Sequence, residues 1–116
     1  MAARFELKPA KGGKFMFNLK ATNGRIILTS ERYDQKKSAI KGIEAVRKGA
    51  TMDKRFEEKK NRKGEQYFIL KAANGEPIGT SESYTSTRNL KGALASVKKN
   101  APEARIEDLT EPGSAK

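Results

Sequence analysis

The chain of 116 residues contains no cysteine and no histidine. It therefore offers neither a thiolate nor an imidazole for nucleophilic catalysis, and it lacks the sulfur and nitrogen ligands that structural zinc requires. Without cysteine there are no disulfides, which is compatible with a reducing compartment. We predict a protein that is not an enzyme, with no catalytic residues, no metal site and no cofactor.

Long apolar runs are also missing. No stretch approaches the roughly 20 apolar residues of a membrane span. The first residues, MAARFE, lack the apolar core of a signal peptide. We therefore expect a cytoplasmic protein with no membrane partner.

Acidic residues are outnumbered: 25 lysines and arginines against 14 acidic side chains give a net charge of +11. The excess is uneven, since residues 1–51 carry 12 basic and 4 acidic side chains and residues 52–116 carry 13 and 10. Such a surplus favours anionic partners, nucleic acid first, but it serves solubility equally well.

The chain is one structural unit written twice, 51 residues apart. Residues 5–50 align with residues 56–101 without a gap, with identity at 18 of 46 positions. A repeated signature joins an Asn-Gly turn to a Ser-Glu-x-Tyr segment. Its members are Asn23, Gly24, Ser30, Glu31 and Tyr33 in repeat one, and Asn74, Gly75, Ser81, Glu82 and Tyr84 in repeat two. Two separate units of this length would bury little apolar surface, so we expect them to share one core.

Each repeat shows two hydrophobic periods in succession. Apolar and polar residues alternate around Phe17 and Phe68, as in half-buried strands. A spacing of four, three and four residues follows, which indicates an amphipathic helix. A short strand after the helix completes a predicted β-β-β-α-β order.

The Asn-Gly pairs predict a hairpin in each repeat. A two-residue loop would pair Lys20 with Ile27, whereas a three-residue loop, with Gly24 in the left-handed region, pairs Leu19 with Ile27. We favour the three-residue loop because it keeps the repeated apolar residues on one face.

This order of elements resembles the YegP-like family of small uncharacterised bacterial proteins. The resemblance rests on two tandem copies of the Asn-Gly hairpin, of Ile-x-x-Ser-Glu-x-Tyr, and of a helix bearing Ile/Leu-x-x-Val-Lys/Arg-Lys-x-Ala, and it covers about residues 4–109. It implies an α+β fold in which tandem β3-α-β repeats, two copies of a domain of unknown function, form one antiparallel sheet. Both helices would pack on one face, and the C-terminal strand of each repeat would be swapped onto the other. No activity is assigned to the family.

We accordingly expect residues 1–116 to form a single pseudo-twofold domain, a monomer with an internal pseudo-dimer. Repeat one would span about residues 4–58 and repeat two about residues 55–109, with a flexible tail at 110–116.

The Ser-Glu pairs of the signature are the most conspicuous polar residues. In a functional interpretation each pair forms a small polar site beside Lys20 or Lys71. We interpret the signature as structural, because serine hydrogen bonds to turns, glutamate near a helix N-terminus and a tyrosine at the core edge explain its repetition. An enzymatic role would require a concave pocket with perturbed titratable groups at both junctions.

Basic side chains cluster in matched loops, where they would contact phosphates without reading bases. The candidate phosphate-contacting residues are Lys8, Lys11, Lys14, Lys59, Lys60, Arg62 and Lys63. The alternative is a solvated, charged surface.

The sheet face opposite the helices, the open face, is predicted to carry apolar side chains with lysines between them. Such a face suits a protein partner, or base stacking on its one aromatic ring. The candidate partner residues are Met16, Ile26, Leu28, Tyr67 and Ile69.

The function itself stays unknown at this level. We predict a small non-enzymatic binding or interaction module. One alternative is a nucleic-acid-associated protein that uses the basic loops and helix faces. The other is a protein–protein or self-association module that uses the open face.

Overall fold

The computed structural model describes residues 3–110. Each repeat forms three strands and a helix, and a seventh strand follows the second helix. The strands are β1 (Arg4–Ala10), β2 (Lys14–Lys20), β3 (Ile26–Ser30), β4 (Phe56–Lys60), β5 (Gln66–Lys71), β6 (Pro77–Thr80) and β7 (Arg105–Asp108), and the helices are α1 (Lys36–Gly49) and α2 (Thr87–Asn100). The tail predicted at 110–116 lies, after Thr110, outside the described residues.

All seven strands form one sheet in the order β4-β5-β6-β3-β2-β1-β7. Neighbouring strands are antiparallel, as predicted, except that β7 runs parallel to β1, so the sheet is mixed. The pseudo-twofold axis passes between β3 and β6, where Thr29 pairs with Thr80, its own counterpart in repeat two. The predicted α+β fold of tandem β3-α-β repeats is confirmed.

The strand exchange follows from where each helix ends. The chain leaves α1 and enters β4, which pairs with β5 of repeat two. It leaves α2 and enters β7, which pairs with β1 of repeat one. Because β4 is also the first strand of repeat two, the sheet has seven strands rather than eight.

The core lies between the helices and one face of the sheet. Helix α1 contacts β1, β2, β5 and β6, and α2 contacts β3 and β5. The largest fully buried side chains come from both repeats: Phe5, Leu7, Phe17, Leu19, Leu28, Ile43, Val46, Phe68, Leu70, Leu90 and Val97. Neither repeat could enclose this set alone, because a unit of about 50 residues buries too little surface.

The β2–β3 hairpin has the predicted three-residue loop, which Gly24 ends with a φ of 83°. Its register differs from the prediction, because a bulge takes up Ile27 and Leu19 pairs with Leu28 instead. Both Ile27 and Leu28 are thereby buried, Leu28 completely. The prediction that Leu28 lies on the open face was wrong, since strict alternation is lost at a bulge.

Candidate functional site

Two grooves form where the repeats meet, and the repeated signature builds both. Groove one lies between the β2–β3 hairpin and, from repeat two, residues 82–84 and α2; its volume is about 890 Å³. Groove two is its counterpart between the β5–β6 hairpin and, from repeat one, residues 31–33 and α1, with about 470 Å³. Each Asn-Gly hairpin therefore faces the Ser-Glu-x-Tyr segment of the other repeat.

The signature serines bind the backbone and do not open onto the grooves as nucleophiles. The Oγ of Ser30 accepts a hydrogen bond from the Phe17 N–H at 2.8 Å and donates one to the Glu31 carbonyl at 2.7 Å. Ser81 makes the same two bonds in repeat two, at 2.9 and 2.8 Å. Each hydroxyl thus satisfies a backbone N–H at the point where its strand leaves the sheet.

The signature tyrosines are half-buried in the groove walls. Burial raises the pKa of Tyr33, and the charge of Glu31 adds to the effect. Burial and the charge of Glu82 likewise raise the pKa of Tyr84, while nearby Arg25 acts against them. Both phenols therefore stay protonated at neutral pH and can donate hydrogen bonds.

The two grooves differ in the charges that line them. At matched positions, the hairpin of groove one carries Arg25 and that of groove two carries Glu76. Groove one is lined by two basic side chains and one acidic, groove two by two acidic and one basic. Within residues 3–110 neither Arg25 nor Glu76 forms an ion pair. Neither residue was predicted as a site residue, although the charge reversal at matched positions is visible in the sequence.

The grooves also differ in width because of two helix positions. Gly92 of α2 corresponds to Lys41 of α1, and a Cβ atom at Gly92 would meet nothing within 4 Å. At the next position, a Cβ on Gly42 would lie 2.5 Å from the Tyr33 Oη, so this tyrosine packs directly on α1. Ala93 takes the place of Gly42 in α2. Groove one is therefore the wider of the two.

The basic loops do not come together. Because β3 and β6 are antiparallel across the axis, the β1–β2 turn and the β4–β5 turn lie at diagonally opposite corners of the sheet. The molecule measures 41 × 30 × 26 Å along its principal axes, so the corners are far apart. The candidate residues in these turns, all exposed, are Lys11, Arg62 and Lys63.

The other candidate phosphate-contacting lysines lie on strands. The Nζ of Lys14 is 2.6 Å from the Asp34 carboxylate, and that of Lys8 is 3.8 Å from Glu6. Two more are exposed on the edge strand β4, Lys59 and Lys60. The cations therefore form separate small patches.

The open face carries four of its five predicted residues, all half-buried: Met16, Ile26, Tyr67 and Ile69. The register places a lysine directly opposite Met16, Ile26 and Tyr67. Within residues 3–110 the one large apolar side chain that is exposed is Leu109, which directly follows β7. The open face is thus a mixed surface of charged and apolar groups.

A buried carboxylate, Glu6, lies at the centre of the repeat-one part of the open face. It is 3.0 Å from both the Arg4 Nε and the Lys20 Nζ. Burial acts to raise the pKa of Glu6, but hydrogen bonds and charges from Lys20 and Arg4 outweigh it and hold the pKa below its ordinary value. Glu57 and Lys71 repeat the pair at 2.6 Å. The charge of Lys20 is therefore largely satisfied outside groove one.

Residues 3–110 contain neither a candidate metal site nor a candidate membrane-spanning helix. No group of three or more Asp, Glu, His or Cys side chains in this part of the chain could hold a metal ion. Neither of its helices is long and apolar enough to cross a bilayer.

The fold and the junction grooves define an α+β protein built from two tandem repeats that share one sheet. Residues 10–57 and 61–108 each match the family described as "Domain of unknown function (DUF1508)". The chain belongs to the YegP-like, or UPF0339, family of uncharacterised bacterial proteins, as the resemblance indicated.

Individual relatives match along nearly the whole chain. A UPF0339 protein of Pseudomonas aeruginosa is 51% identical over 108 residues, which is 93% of this chain and 98% of that protein. The UPF0339 protein YegP of Yersinia pestis is 49% identical over 106 residues, 91% of this chain and 95% of that one. The solution NMR structure of yegP from E. coli, titled a protein of unknown function, matches with a TM-score of 0.90 and 42% identity over 97% of each chain. None of these names assigns an activity.

Proposed function

We propose that this protein is a non-enzymatic binding module and that groove one holds its ligand, an anion with an apolar part. The observation that carries the proposal is that Arg25, whose guanidinium forms no ion pair within residues 3–110, lines a groove together with the buried apolar residues Ile27 and Ala93. The volume of about 890 Å³ falls within the roughly 300–1,000 Å³ typical of ligand sites.

The hydrogen-bonding groups of groove one suit an anion. Arg25 and the protonated Tyr84 are both donors, and they lie close enough for the charge of Arg25 to affect the tyrosine. Donors of this kind bind carboxylate, sulfonate or phosphate groups. The hydroxyl of the signature serine, Ser81, is held by the backbone and does not line the groove, which supports binding rather than catalysis.

Groove two supports the assignment by contrast. There Glu76 replaces Arg25 and Lys41 replaces Gly92, so the groove is narrower and its hairpin repels anions. The same ligand is expected to avoid it. Groove two therefore serves as an internal control for ligand binding in groove one.

The test uses anilinonaphthalene sulfonate, whose sulfonate and aromatic rings represent the proposed class. We expect its fluorescence to rise with the full-length protein, and amide NMR shifts to change in the β2–β3 hairpin and α2. Arg25→Glu, which copies groove two, should weaken binding about tenfold, the effect of losing one charged hydrogen bond. Glu76→Arg is the matched control and should leave the affinity of groove one unchanged.

Two results would overturn the proposal. One is equal affinity of the wild type and a folded Arg25→Glu variant. The other is a set of shift changes confined to the open face around Ile69.

The two alternatives from the sequence have less support. The hypothesis of nucleic-acid binding has less support because the basic loops lie at opposite corners of the sheet. The hypothesis of a protein interface on the open face has less support because charged groups lie between its apolar side chains. A monomeric state and a cytoplasmic location stay predictions.

A further inference from the structure

The outer edge of β4 has no neighbouring strand within residues 3–110, whereas the matching edge of β1 is covered by β7. β1 and β4 are counterparts under the pseudo-twofold symmetry, since each is the first strand of its repeat and pairs antiparallel with the second. The pairing of β7 with β1 therefore serves as a template for a strand added beside β4.

We propose that β4 binds an extended segment of a partner protein as an additional strand, parallel to β4 and placed as β7 is placed beside β1. An edge strand presents a row of backbone N–H and C=O groups, and addition of a strand is a common mode of peptide recognition.

The contacts of β7 show which backbone groups of β4 are available. Leu7 accepts a hydrogen bond from the Leu109 N–H at 2.7 Å, so the Leu7 carbonyl points away from β2. Glu58 is the counterpart of Leu7 in repeat two. Because backbone direction alternates along a strand, Phe56 points outward as well, but its N–H already donates to the Asp53 carbonyl. The Phe56 carbonyl and both backbone groups of Glu58 are therefore the pairing groups.

The first specificity position is apolar. Ile106 of β7 lies opposite Phe5, which is fully buried. Its counterpart Phe56 is only half-buried, with the Lys98 Nζ 5.8 Å from the ring centroid. An aliphatic side chain opposite Phe56 would complete the burial of this ring.

The second specificity position is basic. Asp108 of β7 lies opposite Leu7 and pairs with Lys36 at 2.5 Å. On β4 the equivalent position faces Glu58, which is exposed and has no ion pair within residues 3–110, and Thr87 stands where Lys36 stands. A lysine or arginine would therefore pair with Glu58, while an acidic residue would be repelled. The partner segment follows the pattern aliphatic-x-basic.

The site is short. In repeat one Arg47 donates a hydrogen bond to the Ala104 carbonyl at 2.6 Å, just before β7 begins. In repeat two the counterpart of Arg47, Lys98, is already paired with Asp53. The partner segment therefore begins opposite Phe56 and extends no further than the end of β4.

A second copy of the chain is a weaker candidate for this edge. Two β4 strands paired antiparallel about their middle residue would place Glu58 opposite Glu58, and like charges directly opposite are destabilising.

The experiment uses the full-length protein and two synthetic peptides. One has the unchanged sequence of residues 104–109, and the other carries Asp108→Lys. We expect the lysine peptide to bind about fivefold more tightly, the effect of one favourable in place of one unfavourable charge pair. It should also slow hydrogen exchange at the amide of Glu58, but not at those of Glu57 and Lys59.

Variants of β4 make the test specific. Glu58→Lys should reverse the preference between the two peptides, and the control Glu103→Lys, an exposed change near the opposite edge, should not. Lys60→Pro should change neither the fold nor the affinity, because repeat one has Pro9 at this position and still pairs with β7. Equal affinities for both peptides, or exchange protection at groove one instead of β4, would overturn the proposal. So would a dimer through β4 that excludes both peptides.

Discussion

Replacing Gly92 by glutamine should raise the free energy of unfolding and at the same time weaken ligand binding. Gly92 is exposed in the middle of α2, and a Cβ there meets no atom within 4 Å. Glycine costs a helix interior about 0.8–1.0 kcal/mol relative to alanine, and glutamine is nearly as favourable as alanine. Without a clash to offset this gain, Gly92→Gln should raise the free energy of unfolding by about 0.7 kcal/mol. The melting temperature should rise by about 3 °C.

The same change should close groove one. Glutamine matches most of the length of Lys41, which narrows groove two, but it adds no charge that could attract an anion. We expect Gly92→Gln to weaken the binding of anilinonaphthalene sulfonate about fivefold, through steric loss of part of the site. Gly92→Ala is the control, since its methyl group gives the same gain in stability but leaves the groove open.

The measurements are urea unfolding followed by circular dichroism and a fluorescence titration of each variant. If both variants lose stability, the surroundings of Gly92 have been misjudged. If the glutamine variant is folded and binds like the wild type, groove one is not the ligand site.

Two further predictions concern stability. Glu6→Gln should lower the free energy of unfolding by about 1 kcal/mol at neutral pH, because Arg4 and Lys20 lose their shared carboxylate while remaining partly solvated. Since the folded pKa of Glu6 is held below its ordinary value of 4.5, its contribution to stability is present above that pH and is lost as the pH falls through the folded pKa. Urea titrations in which the difference between variant and wild type does not shrink on acidification would contradict this. Gly79→Ala should cost about 1–3 kcal/mol by overpacking, because the new Cβ would lie 2.8 Å from the Cγ of the fully buried Leu28. In a Leu28→Ala background the same Gly79→Ala change should cost less free energy of unfolding than it does in the wild type. An equal cost in both backgrounds would argue against a clash.

Much of the fold could be predicted because local residue patterns specify its strands, turns and helices, and because each pattern occurs in both repeats. Alternation around Phe17 and Phe68 indicated strands, and the helical spacing indicated α1 and α2. The Asn-Gly pairs located the hairpins, where Gly24 adopts a positive φ. Repetition made each assignment more secure, since two copies rarely share the same accidental pattern.

The errors arose where pairing between strands overrides local pattern. The bulge at Ile27 buries Leu28, and no alternation of residue types marks it. The parallel pairing of β7 with β1 is likewise a property of the assembled sheet. It depends on the chain leaving α2 and returning to the far edge of repeat one.

The candidate site shows the same division. The sequence alone determined that the signature is duplicated, that its serines and tyrosines lie at strand-to-helix junctions, and that Arg25 and Glu76 differ in charge at matched positions. The contact between the hairpin of one repeat and the junction of the other arises only when the sheet assembles. The reason is the antiparallel pairing of Thr29 with Thr80, which rotates the repeats against each other and sets each hairpin beside the junction of the other repeat.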